Sequence, residues 1–422
     1  MIDRKIRMMF FPRETFPTDR VRLTTLFGRE LIGRGHAIDL VMQATSADVR
    51  VGRHDWSGRS VWVGPTDDGH RFLHRVRKNL LGLLHDLRWL LRATRKDYDS
   101  ILVSDKYLLA TIACVVARLR GLQFFFWLTF PYHEAHLTLG TEPGTRHRRL
   151  VLLRGYITQI ALHHWILPRA DHFFVQSHRM LERFVATGIA GSKMTPIATG
   201  IDLDGIDPRT TSVPAAKGGM LTIGYLGTLV PERRLEVLID MLAELRRYGI
   251  FARLLLVGDG ARPQDRRVLE DRAKALGLES QLEITGLMPR REALKRIQES
   301  DVCVSPFYPS TILDVASPTK LIEYLALGIP AVANTHPDQT IVLRESRAGV
   351  CVPWGARHFA RGVRWLAYGD RERLTTMAAR GKDWVATNRT YSKIADSFEQ
   401  ACLKAISAPQ SSNCKIDSHS RC

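Results

Sequence analysis

Cysteine is scarce and unpatterned in this chain. Its six cysteines (Cys114, Cys303, Cys351, Cys402, Cys414 and Cys422) among 422 residues include no CxxC pair. Neither a disulfide framework nor a zinc site is read from them, and a reducing cytoplasm is the expected home. Long apolar runs are also missing. None reaches the ~20 residues of a membrane-spanning helix. The longest, 107–119, is interrupted by Arg118 and reads as a core helix. The opening stretch MIDRKIRMMFFPRE has too short an apolar segment for a signal peptide. Acidic residues fall short of basic ones, 43 against 61, which leaves a net charge of +18. Such an excess implies an anionic partner: nucleic acid, an acidic membrane surface or a phosphorylated substrate. With 45% apolar and 25% charged residues the composition is that of a folded protein. The length points to two or three domains.

Short apolar runs alternate with longer helical patterns. Strands are expected at 6–11, 37–43, 100–105, 123–128 and 172–177. A helix over 19–36 sets Val21, Leu23, Leu26, Leu31 and Ile32 roughly on one stripe. Runs apolar on both faces suit a parallel sheet covered by helices. The pattern restarts at 221–227, 252–260, 282–287, 302–307 and 330–334. Between the halves, 197–219 is rich in Gly, Pro and Thr and poor in bulky residues. The expected class is α/β, with doubly wound domains at 1–205 and 220–385 and a linker at 206–219. A C-terminal helix at 386–407 is expected to pack back on the first domain, and a disordered tail to cover 408–422. Ligands of such sheets bind beyond the carboxyl ends of the strands.

One stretch there, VASPTKLIEYLALGIPAVAN (315–334), carries charge on a helix that otherwise wants burial. Ser317 suits an N-cap and Pro318 a first helical residue, so a helix is expected from about Pro318 to Gly328. Free N–H groups at its start, Thr319 included, suit a phosphate. Lys320 in the first turn opposes the helix dipole, at a cost of about a few tenths of a kcal/mol unless an anion rewards it. Glu323, on the same face, can accept two hydroxyl hydrogen bonds at once, as from a ribose. The plainer alternative is a solvated Lys–Glu pair on a surface helix.

Ser317, Pro318, Lys320, Glu323, Tyr324, Gly328 and Pro330 form a Ser-Pro-x-Lys-x-x-Glu-Tyr motif ahead of a Gly-x-Pro turn. It resembles the nucleotide-sugar signature of GT-B glycosyltransferases of the family 4 type. The resemblance is strong from about Leu221 to Trp384 and looser before. It implies a GT-B architecture, two Rossmann-like domains facing each other across a cleft. It also implies donor-binding roles for Gly227, Thr228, Arg233, Arg234, Asp314, Ser317, Pro318, Thr319, Lys320 and Glu323. Glu323 falls on the family's ribose-binding carboxylate. The other family Glu falls on Val315, with Asp314 next to it as the substitute. Gly227 matches the glycine of the diphosphate clamp; Thr228 stands where an arginine is usual and Arg233 where a lysine is usual. Asp338 and Gln339 are further sugar-contact candidates. The implied activity is retaining transfer of a sugar from a nucleotide-diphosphate sugar to an acceptor hydroxyl, without metal or cofactor. The expected acceptor is a lipid-linked saccharide of cell-surface polysaccharide or glycolipid biosynthesis.

The first half departs from the family. Its loop 11–21 has no glycine but offers Arg13, Thr18, Asp19 and Arg20. The usual catalytic histidine falls on Thr129. His133 and Glu134 are the expected catalytic groups, with His136 nearby, able to orient the acceptor or move its proton. Segment 72–96 has seven basic residues and one acid, and 146–169 has five arginines and no acid. Both carry leucines and a tryptophan, as helices on anionic bilayers do. Contact with the cytoplasmic face of a membrane is expected; the alternative is that both helices pack their apolar faces on the sheet. Asp202 and Asp204 form an Asp-x-Asp, a metal motif in other folds, but they stand where this family has a Gly-Val-Asp turn. Two rivals remain: a nucleotide-sugar epimerase of the same shape, and a basic nucleic-acid-binding protein. No nucleic-acid motif is found, and the cations keep company with leucine rather than with stacking aromatics.

Overall fold

The computed structural model describes residues 4–69, 71–141, 145, 147–204, 206 and 219–407. Two mostly parallel sheets carry it. The first holds β1 (Arg7–Phe11), β2 (Thr15–Phe16), β3 (Ala37–Ala44), β4 (Gly52–Trp56), β5 (Arg59–Gly64), β6 (Ser100–Ser104), β7 (Gln123–Leu128), β8 (His172–Val175) and β9 (Met194–Pro196). Its order is β4-β5-β3-β1-β6-β7-β8-β9, with β2 beside β3. Every pairing is parallel except the hairpin β4–β5. The second holds β10 (Leu221–Leu226), β11 (Ala252–Val257), β12 (Leu282–Ile284), β13 (Val302–Ser305), β14 (Ala331–Asn334) and β15 (Gly349–Val352), ordered β12-β11-β10-β13-β14-β15 and parallel throughout.

Helices cover both faces. In the first half these are α1 (Arg22–Leu31, wound with π-helical turns), α2 (Phe72–Leu90), α3 (Tyr107–Arg120), α4 (Tyr132–Thr141), α5 (Arg148–Ile160) and α6 (His178–Ala186). In the second they are α7 (Glu236–Arg247), α8 (Pro263–Ala275), α9 (Arg290–Ile297), α10 (Thr319–Ala326), α11 (Pro337–Ser346), α12 (Ala356–Ala367), α13 (Arg371–Asn388) and α14 (Tyr391–Ser407). Because both faces are covered, the central strands β7 and β10 bury all six of their residues, which is why they read as continuous apolar runs.

The last helix belongs to the core of the first sheet. Phe398 on α14 lies against Phe27, Trp127 and Phe174, with ring centroids 5.4, 5.5 and 4.6 Å apart. Arg34 beside α1 pairs with Asp396 and Glu399 of the same helix. The chain thus leaves the first sheet near Ile201 and returns at Tyr391. The two crossings are bonded to each other: Ile201 N–H donates to Arg389 O (2.7 Å) and Tyr391 N–H to Ile201 O (3.2 Å).

Several elements differ from the sequence reading. The hairpin β4–β5 and the strand β15 were not expected, and the helix of 19–36 is shorter. Most of the linker assigned to 206–219, and the tail from 408, lie outside the described residues.

Candidate functional site

The carboxyl ends of both sheets face one cavity of about 590 Å³. The first half contributes Glu14, Asp19, Arg20, Val21, Arg22, Thr129 and Gln176. The crossing contributes Thr199 to Asp202, and the second half Arg290, Thr319, Lys320, Ile322 and Glu323, with Tyr391 from α14.

α10 is the centre of it. Pro318, at φ −64° and ψ 114°, stands at the N-cap and Thr319 opens the helix. The chain turns out through Gly328 at φ 74°, a left-handed position that favours glycine. Six of its eight residues are buried, Glu323 and Tyr324 among them. Tyr324 explains its own place in the motif: its hydroxyl accepts from Leu226 N–H (2.8 Å) and pins α10 to the end of β10. Glu323 is 7% exposed. Its carboxylate meets Lys320 Nζ at 3.1 Å and Arg290 Nη2 at 3.4 Å. The start of α10 thus sets Lys320 and Glu323, joined by Arg290 from α9, against the cavity.

Ser317 corrects the sequence reading. It is not the N-cap, and its hydroxyl points into a buried network instead. It accepts from Thr199 N–H (3.0 Å) and Arg389 Nη1 (3.3 Å) and donates to Asp338 Oδ2 (3.0 Å). Arg389 Nη2 also bonds Asp338 Oδ1. Ser177, the N-cap of α6, donates to Val315 O (2.8 Å). The loop that feeds α10 is thus bolted to the first half. This arrangement uses Asp338 structurally. Gln339, fully buried, is likewise spent on Ser305 and Asn334. Asp314 sits half-buried in a single turn, Leu313–Val315, outside the cavity lining.

The clamp residues stand on the same rim over β10 but are not among those lining the cavity. The loops after β10 and β11 touch main chain to main chain. A Cβ on Gly258 would lie 2.1 Å from Gly227 O, so a side chain there has no room. Thr228 O accepts from Tyr225 Oη (3.3 Å), and Arg233 Nη1 donates to Tyr225 Oη (3.1 Å). The Arg233 guanidinium lies 6.0 Å from the Phe307 ring, and that of Arg234 5.7 Å from Tyr308.

The expected catalytic pair is placed elsewhere. His133 is 2% exposed on α4 against His163, and burial pushes its pKa down to about 4. Glu134 pairs with Arg183 (2.7 Å), which also donates to Thr311 O (2.8 Å) across the two halves. Neither lines the cavity, and His136 is spent on Tyr132 O (2.6 Å). Arg13 lies 3.8 Å over the Tyr132 ring. Thr18 accepts from Arg20 N–H (3.2 Å), and Asp19 and Arg20 do face the cavity. Asp202 and Asp204 are held by Arg29, Asp202 also by Thr25.

Sequence reasoning missed Arg290, Arg22, Glu14 and Asp105. Arg290 opens α9 after β12. Arg22 pairs with Glu14 (2.6 Å) and lies 4.9 Å over the Trp127 ring. Burial pushes Glu14 up, but Arg22 outweighs it and holds the carboxyl below its ordinary range. Their signal was position: each follows a strand end.

Comparison with known proteins gives a consistent picture. Residues 22–200 match the model of the glycosyl transferase 4-like domain, and 221–368 that of glycosyl transferases group 1. The chain is 24% identical over 354 residues to the putative colanic acid biosynthesis glycosyltransferase WcaL of Escherichia coli (strain K12), covering 79% of this chain and 83% of that protein. Among solved structures it is similar to sucrose-phosphate synthase from Thermosynechococcus elongatus, with TM-score 0.70, 17% identity and 95% and 99% of the two chains covered. It is also similar to Anabaena HepE in complex with UDP-glucose, with TM-score 0.64, 13% identity and 94% and 99% covered.

Proposed function

The chain belongs to the group 1 glycosyltransferases of GT-B fold, and from that premise we propose that it moves a sugar from a nucleotide-diphosphate sugar to an acceptor hydroxyl with retention of configuration. One observation carries the reading: Lys320, Glu323 and Arg290 stand together at the first turn of α10, on the cavity between the sheets. The acid suits the ribose and the cations the diphosphate. In the reaction the bond from the anomeric carbon to the diphosphate breaks and one to the acceptor oxygen forms. The acceptor proton passes to the departing phosphate on the same face. The protein's part is positioning and neutralising the charge that develops on the diphosphate. Lys320, Arg290 and Arg233 are assigned that task without a metal or cofactor. The UDP-glucose bound by HepE makes that donor the first to test.

The test is product analysis with UDP-glucose, with and without lipid-linked saccharides from an envelope extract. Transfer predicts UDP and glycosylated acceptor in equal amounts, and little sugar released without acceptor. A new free sugar or nucleotide sugar formed without acceptor would favour the epimerase.

The acceptor is proposed to be lipid-linked, as suits a relative of a colanic acid enzyme, with the protein held on the cytoplasmic face of the membrane. Among the described residues no helix is long and apolar enough to cross a membrane. α2 instead exposes Phe72, Leu73, Val76, Leu80 and Leu84 along one side. Phe72 and Leu73 are 73% and 76% exposed, and only Asp86 and Leu90 are buried. α5 exposes Leu150, Leu153, Tyr156, Ile157 and Ile160 and buries only Gly155. An apolar face among cations fits an anionic bilayer, at about 1 kcal/mol per nearby cation. We expect co-sedimentation with phosphatidylglycerol vesicles and not with phosphatidylcholine. It should weaken at about 0.5 M salt and in the triple variant Arg75→Ser, Arg77→Ser, Lys78→Ser. Equal binding to both vesicles would refute the electrostatic part.

A further inference from the structure

Asp105 is a buried carboxylate that the reading so far does not use. It follows β6, next to Thr129 at the end of β7, on the cavity side of the first sheet. It is 8% exposed and holds a left-handed backbone, φ 54°, which Asp tolerates better than most residues. Each of its oxygens accepts from Thr129. Oδ1 accepts from the backbone N–H (3.0 Å) and Oδ2 from the hydroxyl, with the Ser104 hydroxyl as a longer second donor to Oδ2 (3.5 Å). Among the described residues no cation pairs with it. Arg22, the nearest positive influence, is engaged with Glu14. The other titratable groups around it are Glu14, Tyr107 and Tyr132. A desolvated carboxylate without a counter-ion is an expensive way to shape a turn.

The hydroxyl hydrogen of Thr129 is committed to Asp105. Toward the cavity Thr129 Oγ1 is therefore an acceptor only, polarised by the charge behind it. We infer that Thr129 receives a hydrogen bond from a hydroxyl of the bound sugar substrate, and that Asp105 is the positioning residue that fixes its polarity. This deepens the transfer reading and rests on it. It places a neutral acceptor where the family has an imidazole.

The sign of the pH effect follows from the geometry. Burial, partly offset by the Thr129 bonds, raises Asp105 from 3.8 to about 6. Above that pH it is charged and holds the Thr129 hydrogen; below it the protonated acid no longer dictates the hydroxyl's direction. Activity should fall as pH drops through about 6. Stability from this group runs the other way. The folded state takes up a proton between pH 6 and 3.8 that the unfolded chain does not, so this contribution improves as pH falls.

Asp105→Asn tests it. The amide still accepts from Thr129 N–H but presents a donor to Oγ1, which forces the hydroxyl to donate into the cavity. With UDP-glucose and lipid-linked acceptor, kcat/KM should fall by about 10- to 100-fold, the worth of one hydrogen bond reversed, and the acidic limb near pH 6 should vanish. UDP affinity should be unchanged, and the melting temperature at pH 8 equal to or above that of the parent. Thr129→Val should reproduce the loss and Thr129→Ser restore most of it, which keeps the test valid if Asp105→Asn fails to fold. Hydrolysis of UDP-glucose without acceptor separates the sources: slowed hydrolysis marks a donor hydroxyl, while intact hydrolysis with a raised acceptor KM marks an acceptor hydroxyl. Near-normal kcat/KM in Thr129→Val, or an acidic limb that survives in Asp105→Asn, overturns the inference and leaves the transfer reading standing. A parent enzyme that releases nucleoside diphosphate from none of the UDP-, GDP- or ADP-sugars overturns both.

Discussion

Replacing Glu323 by Ala is expected to weaken UDP binding by about 100-fold, while inorganic pyrophosphate binds as well as before or better. The two halves of that result have different causes. The carboxylate is engaged with Lys320 and Arg290 through one oxygen each, which leaves lone pairs for two ribose hydroxyls. A hydrogen bond to a charged group is worth about 1.5–3 kcal/mol, so losing the pair costs about 3 kcal/mol at the lower end, or roughly two decades in affinity. Removing the acid also frees two cations that it now neutralises, and a diphosphate gains from that. The fold should survive, because the side chains of Lys320 and Arg290 are 27% and 40% exposed and water can solvate them. Isothermal titration with UDP, 3′-deoxy-UDP and pyrophosphate is the measurement. The deoxy analogue should lose affinity for the parent but lose little more in the variant, the signature of a shared contact. An unchanged UDP affinity in Glu323→Ala would remove the ribose role.

The second large effect concerns Arg389. It is buried with Asp338 and Ser317 where the chain returns to the first sheet. Arg389→Met strands the Asp338 carboxylate at 7% exposure. An uncompensated buried charge of this kind costs about 3–5 kcal/mol, a large share of the ~5–15 kcal/mol that holds a folded domain together. The urea midpoint of the transition should drop accordingly. Adding Asp338→Asn should recover much of the loss, since removing both charges is far cheaper than removing one. The double variant keeps a weakened donor site, because Ser317 loses Arg389 and exchanges the Asp338 carboxylate for an amide, leaving Thr199 and the Ser177–Val315 bond to anchor the loop into α10. Equal stability of Arg389→Met and the parent would mean the pair is solvated in solution.

How far the sequence carried this reading depended on whether a residue acts locally. β7 and β10 were legible because a strand covered on both faces must be apolar throughout. The hairpin β4–β5 was not, because its first strand, GRHDW, lies at a sheet edge, half-exposed, with no alternation to betray it. At the site, Lys320 and Glu323 were legible from their i,i+3 spacing on one helix face. Ser317 misled because capping preference is a local statistic, and three partners distant in sequence claim its hydroxyl: Thr199, Asp338 and Arg389. Arg290 and Asp105 gain their meaning only when β12 and β6 bring them to the rim. His133 was expected at the cavity as a catalytic group; α4 turns it inward against His163.

The account rests on a nucleotide diphosphate lying at the start of α10. A crystal structure with UDP bound tests this most directly. The predicted result is a diphosphate against the N–H groups of Thr319 and Lys320 with the ribose hydroxyls on Glu323. A nucleotide bound away from α10, or a Glu323 that keeps only Lys320 and Arg290 for company while UDP sits in the cavity, would contradict it.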